Sequence, residues 1–386
     1  MNSRSTALAV TLAAIFLASA FAVVITDESS EAVAAGDLDN YYYNQLSADE
    51  KSIFDTMMDP TTGIKTDSIL SETVGTVTTY YVPVATAVNF GDAEQALSAA
   101  CRVYEAVKLQ DPFAWFTWGN DAAIQSVTVT ASAPAEFKIK ISGEYCKGNS
   151  LPEVKTGLQT MVDQSKAKLT ELIASFDLGS KSDAEKLDKL NDYICGKSIE
   201  YDAEAEYSSS IYGALVAADD KGVHRILCEG YSSLVQAFCI QEHIPCISVF
   251  GMSAQSENDY HAWNVVVIGS GTVYSAYGID ATWNDTGSDK RAFLLAGALS
   301  EDAGITFTMS HQAFRFDSDW YGSDYSAYKT VAPYTFMGYA LSDEGYEWPA
   351  DNSIVTTIVE YAPWIVVAVI CALLAFVLFN MGKRGD

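Results

Sequence analysis

Apolar residues along this chain of 386 residues keep three rhythms. The first is an unbroken run near each end: positions 7–25, behind Arg4, and positions 362–379, ahead of Lys383 and Arg384. Each approaches the ~20 residues that carry a helix across a bilayer. The second is the i, i+3, i+4, i+7 spacing of an amphipathic helix. It predicts helices over 47–59, 93–109, 154–176 and 182–196. It also predicts one starting at Cys228, where Tyr231, Leu234, Val235 and Phe238 form a single stripe that ends near His243 and Pro245. The third is alternation, which predicts a pair of strands over 126–145 broken at Pro134, and two more in HAWNVVVI from His261 and VYSAYGID ending at Asp280. Gly269, Ser270 and Gly271 mark a tight turn between the last two, so the segment is expected to be a hairpin. Closed at Ser270 and Gly271, it sets His261 directly opposite Asp280, with Cβ atoms roughly 4.5–5.5 Å apart. A slip of one residue would send the two side chains to opposite faces.

That pairing matters because of Cys228. A thiol is a useful nucleophile only as thiolate, and a helix start beside an imidazole favours the anion. Cys228, His261 and Asp280, separated by 33 and 19 positions, therefore make a candidate triad. His261 would act as the base and Asp280 would orient the ring. The backbone N–H groups of Cys228 and Glu229 are candidates for an oxyanion hole. Taken singly, each residue has a plainer reading: a small core cysteine, a structural histidine ahead of a strand, an aspartate capping a turn. Trp263, Trp283 and His311 are candidates to line a substrate groove, though tryptophans at such spacings more often pack a core. His243 suits the negative end of the Cys228 helix, and His224 lies in a loop.

The segments LNDYICGKSIEYD, SIYGALV, ILCEGYSSLVQAF, IPCISVFG, HAWNVVVIG and GIDATWND, in that order, together with MSHQAF around His311, resemble the transglutaminase-like superfamily. The one departure is Ile226-Leu227, behind the basic pair His224-Arg225, where family members commonly carry a small pair before the nucleophile. The resemblance implies an α+β, papain-like core: a nucleophile helix packed on an antiparallel sheet, here followed by a transmembrane helix. It implies acyl transfer on the amide bonds of a protein or peptide through a thioester, resolved by water in a peptidase or amidase, or by an amine in a cross-linking enzyme. Microbial proteins of this kind are often hydrolases. The rival expectation is a surface interaction protein that keeps the fold without the activity. The expected organisation is 1–26, a signal peptide or N-terminal membrane anchor; 36–150, an amino-terminal α+β segment packed on the core; 151–345, the catalytic domain; 354–382, the C-terminal transmembrane helix; and 383–386, a cytoplasmic tail.

Charge agrees with an exterior location. The basic pair after the second apolar run is expected to stay in the cytoplasm, which places the body outside. Small residues at Ala18-Ser19-Ala20 and Ala20-Phe21-Ala22 offer cleavage sites, so the first run reads as signal peptide or anchor. The chain totals −27; residues 1–26 and 361–386 carry +1 each, so the body between them carries −29. Such a body is repelled by nucleic acid and anionic headgroups. No CxxC, HExxH or paired Cys/His clusters appear, so neither a metal nor a cofactor is expected. Cys239 with Cys246, and Cys101 with Cys146, are candidate disulfides or buried thiols alike.

Overall fold

Capping side chains start the amino-terminal helices close to where the sequence places them. Ser47 and Glu50 form a reciprocal capping box ahead of α1 (Ala48–Met58). The computed structural model describes residues 38–348, apart from positions 39, 62, 118–123, 131–132, 254–259, 271–272, 314, 317–333 and 336–338. Both terminal apolar runs, and with them the expected signal peptide or anchor and the transmembrane helix, lie outside the described residues. Among the described residues no helix is long and apolar enough to cross a membrane. The chain divides into two units, of which the first extends to Gly345.

After α1 come β1 (Leu70–Val74), β2 (Val77–Ala85), α2 (Ala93–Gln110, capped by Asp92), β3 (Ile124–Thr130) and β4 (Ala133–Lys140). The strands form an antiparallel sheet in the order β1-β2-β4-β3. Pro134 was expected to break the last two strands. The break falls earlier, after Thr130, which pairs with Ala133, and Pro134 lies in the opening residues of β4, where a missing N–H is tolerated.

The second half begins with α3 (Leu151–Ser175) and α4 (Asp183–Ile194), the latter opened by a Ser182–Glu185 capping box. Then come α5 (Cys228–Glu242), β5 (Cys246–Ser253), β6 (Tyr260–Ser270), β7 (Val273–Ile279), α6 (Ala281–Thr286), β8 (Leu294–Ala296) and β9 (His311–Ala313). The five strands make an antiparallel sheet in the order β8-β7-β6-β5-β9. The helix α5 packs on β6 and β5, and it ends at His243 in a left-handed conformation (φ 57°).

α5 is not the half-exposed helix its apolar stripe suggests. Apart from Glu229, every residue from Cys228 to Cys239 is buried. Its polar positions are accommodated by hydrogen bonds instead of by water. Gln236 Nε2 donates to Leu109 O at 2.5 Å, and Ser248 Oγ donates to Gln236 Oε1 at 3.0 Å. Asn264 Nδ2 donates to Ser232 O at 3.1 Å. Leu109 lies in α2, and Tyr42 OH also donates to Ser248 O at 2.5 Å, so the amino-terminal segment is bonded directly to the helix and sheet that carry the candidate site. Lys108, the residue before Leu109, reaches Glu229 with Nζ 3.7 Å from Oε1.

The approach to α5 is equally tight. His224–Ile226 pairs in parallel with Ile199–Tyr201. Arg225 is held there by Asp219 at 3.1 Å and Glu200 at 3.0 Å, and His224 Nδ1 lies 3.0 Å from Gly213 O. The basic pair His224-Arg225, just ahead of Ile226-Leu227, thus clamps the strand delivering Cys228. A Cβ at Gly230 would stand 2.5 Å from Ser208 O and 2.8 Å from Ile226 Cβ. Only glycine lets the first turn of α5 lie against that strand.

Gly230→Ala is therefore expected to destabilise the protein by ~1–3 kcal/mol through overpacking. Gly157→Ala, in α3, meets nothing closer than Lys147 O at 3.5 Å and is expected to stabilise it by ~0.5–1 kcal/mol through helix propensity. Urea unfolding of the two variants, read by tryptophan fluorescence, tests this; equal effects would remove the packing argument.

Candidate active site

Three elements converge on one buried carboxylate. Cys228 is the first residue of α5, whose N-cap, Leu227, supplies no side-chain cap. The first-turn N–H groups thus face the same end of the helix as the thiol. His261 is near the start of β6 and Asp280 immediately follows β7. Cys228 is 9% exposed, His261 7% and Asp280 0%.

The β6–β7 register differs from the expected one. Ser270 pairs with Val273 and Asn264 with Ile279, so only positions 271–272 are left to join the strands. Continued one step, this register sets Asp280 across from Trp263, not from His261. The shift is two residues, and because side chains alternate with period two it preserves the face. His261 and Asp280 are diagonal neighbours rather than direct ones, and Asp280 closes the distance through its backbone. It leaves the strand as the N-cap of α6 (φ −110°, ψ 89°), with Oδ1 accepting from Trp283 N at 2.9 Å. That cap leaves Oδ2 for His261 Nε2, at 2.7 Å. The Cys228 thiol lies beside the same ring and helps to raise its pKa; with Nε2 held by Asp280, Nδ1 is the nitrogen left to face it.

The electrostatics follow from burial and pairing. Burial pushes the His261 imidazole down, but the Asp280 charge, its hydrogen bond and the neighbouring Cys228 outweigh burial and raise it to about 10. Burial pushes the Asp280 carboxyl up, but His261, and then His311, outweigh that and hold it well below the usual carboxylate range. An ionised carboxylate only accepts hydrogen bonds, so the Nε2 atoms facing it carry protons.

Of the residues expected to line a groove, Trp283 is half-buried, while Trp263 and His311 are buried. Trp263 and Trp283 lie nearly parallel to the His261 ring, with centroids 6.1 Å and 5.5 Å away and 28° between planes in each case. His311 is the main departure from expectation. Its side chain has 0% exposure, and its Nε2 lies 2.9 Å from Asp280 Oδ2. It sits beneath the candidate triad, not at a cleft rim. Nothing in the sequence marks this contact: 31 positions separate His311 from Asp280, and the strands carrying them are not neighbours in the sheet.

His261, Asp280 and His311 offer donor atoms within 4.8 Å of one another, a set that could hold a metal ion. The separations of 2.7 Å and 2.9 Å from nitrogen to oxygen are hydrogen-bond lengths. Tetrahedral zinc with ligands at about 2.0–2.2 Å would spread such pairs to roughly 3.3 Å. The other thiols lie apart from this chemistry: Cys146, Cys195, Cys239 and Cys246 are unpaired by disulfides, and burial, then Cys246 beside it, pushes the Cys239 thiol up.

Residues 170–278 match the family described as the transglutaminase-like superfamily. Among solved structures, one described as "Crystal structure of a TGase" is similar at 15% identity, with a TM-score of 0.23, over 52% of this chain and 50% of that one. The chain thus spans about half the length of that protein. No curated protein matches.

Because the His261 pKa is raised, the stabilisation from its ion pair with Asp280 is fully present below about pH 6.5. It is lost as pH rises through about 10. Urea unfolding at pH 6 and at pH 10.5 should show wild type losing more stability over this interval than His261→Gln. Identical losses would mean that the imidazole carries no raised pKa.

Proposed function

We propose that this chain is a cysteine-dependent acyl-transfer enzyme acting on amide bonds through Cys228, His261 and Asp280, with hydrolysis as its main outcome. The match of residues 170–278 to the transglutaminase-like superfamily supports the class of chemistry. The observation that carries the assignment of residues is the buried 2.7 Å contact from Asp280 Oδ2 to His261 Nε2, on a ring that has the Cys228 thiol as a neighbour.

In this reading the thiol proton already resides on His261, so that Cys228 rests as a thiolate beside an imidazolium that Asp280 stabilises. The thiolate attacks the amide carbonyl, and the N–H groups of Cys228 and Glu229 receive the oxyanion. Collapse of the intermediate breaks the C–N bond as His261 returns its proton to the leaving amine. The thioester that remains is resolved by water, activated by the same imidazole, or by an incoming amine. Glu229, bonded to Lys108, and Trp283 stand beside this route and would shape what enters it.

The proposed location rests on the sequence. The second apolar run and its basic flank would hold the chain in the cytoplasmic membrane with the acidic body outside, acting on protein or peptide amides at the cell surface. Protease added to intact cells is expected to digest the body and spare a tag fused after Asp386; loss of the tag from sealed cells would reverse the orientation.

The catalytic reading is tested with iodoacetamide and a peptide-amide substrate in water enriched in ¹⁸O. Cys228 is expected to alkylate faster than the other thiols at neutral pH, and product carboxylates are expected to gain ¹⁸O. Cys228→Ala should abolish turnover, and Asp280→Ala should lower it by roughly 10²–10⁴. Incorporation of a primary amine in place of ¹⁸O would favour the cross-linking alternative. An active Cys228→Ala variant would end the proposal.

A further inference from the structure

His311 plays no part in the chemistry above, yet it makes the second charged-group contact of the site. The carboxylate of Asp280 receives three donors: Trp283 N–H on Oδ1 at 2.9 Å, and the Nε2–H groups of His261 at 2.7 Å and His311 at 2.9 Å, both on Oδ2. A single carboxylate oxygen thus bridges two imidazoles.

The His311 ring has little freedom to leave this position. It stacks on Phe307 at 3.8 Å with 6° between planes, and Trp263 and Trp283 flank it with centroids 5.0 Å away. Its Nδ1 lies 2.9 Å from Ser310 Oγ and 3.0 Å from Phe307 O, which fixes the ring against a flip. Phe307 is itself seated over Gly278, where a Cβ would stand 2.3 Å from the Phe307 ring. Glycine at 278, two positions before Asp280, therefore permits the packing that aims His311 at the carboxylate.

The geometry points to His311 as a positioning residue: its Nε2–H clamps Asp280 so that Oδ2 stays aimed at His261, while its buried side chain never meets substrate. The inference rests on the proposed role of Cys228, His261 and Asp280. Without the clamp, Oδ2 keeps one donor and the carboxylate gains freedom to turn about its Cα–Cβ and Cβ–Cγ bonds. The imidazole then loses its fixed orientation toward the thiol. The burden falls on kcat, because no contact to substrate is removed.

Two substitutions separate the hydrogen bond from the packing. His311→Gln keeps an amide N–H donor near the position of Nε2, whereas His311→Leu keeps bulk alone. His311→Leu is expected to lower kcat by ~10–100-fold, as loss of groups that orient a reactive residue commonly does, with KM changed less than twofold. His311→Gln is expected to recover most of that loss. Equal activity in wild type and the Leu variant, or equal losses in both variants, would overturn the clamp. A second measurement needs neither turnover nor a folded His311 variant. In ¹⁵N-histidine spectra of the wild-type protein, two slowly exchanging, downfield Nε2–H protons are expected, and Asp280→Asn should shift both. A shift of the His261 signal alone would also overturn the clamp. Should wild type prove inert toward amides while both protons move with Asp280→Asn, the proposed function fails and the clamp stands.

Discussion

A fully buried carboxylate is the constraint around which this site is built. Moving an ionised carboxylate out of water costs several kcal/mol even after the protein relaxes, so Asp280 stays charged only because donors surround it. The helix cap gives one N–H to Oδ1, and two histidines give theirs to Oδ2. Each donor comes from a different part of the chain: α6, the start of β6 and the start of β9. The carboxylate is therefore a point of convergence for the fold as well as for the chemistry. Its charge lifts the His261 imidazole to about 10 against the opposing effect of burial, which favours a proton on the ring facing the Cys228 thiol.

Satisfying Asp280 constrains residues far from it. Tyr231, one turn into α5, donates to Asp285 Oδ2 at 2.5 Å. Asn284 Nδ2 donates to Asn191 Oδ1 in α4 at 2.9 Å, and its Oδ1 accepts from Phe293 N at 2.9 Å. The short helix that Asp280 caps is thus tied to α5 on one side and to α4 on the other. Helix α5 is tied in turn to the amino-terminal segment by Gln236 and Leu109. Helix α5 is buried from Cys228 to Cys239 apart from Glu229, and Asp285 and Leu109 accept hydrogen bonds from its Tyr231 and Gln236. The Ser248 and Asn264 side chains donate to Gln236 and Ser232 of the helix from the sheet.

The sequence was legible wherever local periodicity governs. The helices expected over 47–59 and 182–196, the helical course after Cys228 and the alternation flanking the hairpin all report short-range physics, and the structure has helices and strands there. The hairpin register was harder, because Gly269-Ser270-Gly271 admits more than one two-residue closure. Closing at 271–272 instead of 270–271 moves the pairing by two residues, and the face survives only because the error is even. The burial of α5 and the position of His311 were not legible. Both depend on what packs from distant segments, and neither Gln236 nor His311 carries a local pattern that names its partner.

Directly opposed residues in an antiparallel pair have Cβ atoms roughly 4.5–5.5 Å apart, and diagonal ones stand farther off, so here the turn of the backbone at Asp280 completes the contact. Displacing Asp280 by two positions puts its Cα just beyond the strand, where the chain is free to turn into α6. The cap conformation then aims one carboxylate oxygen inward and surrenders the other to the helix N-terminus. Strand pairing fixes which face His261 occupies, and the cap fixes the angle at which Asp280 meets it. The bulky ring of Trp263, across from Asp280 in the continued register, lies near-parallel to the His261 ring and edge-on to His311, so both imidazoles are packed against one indole.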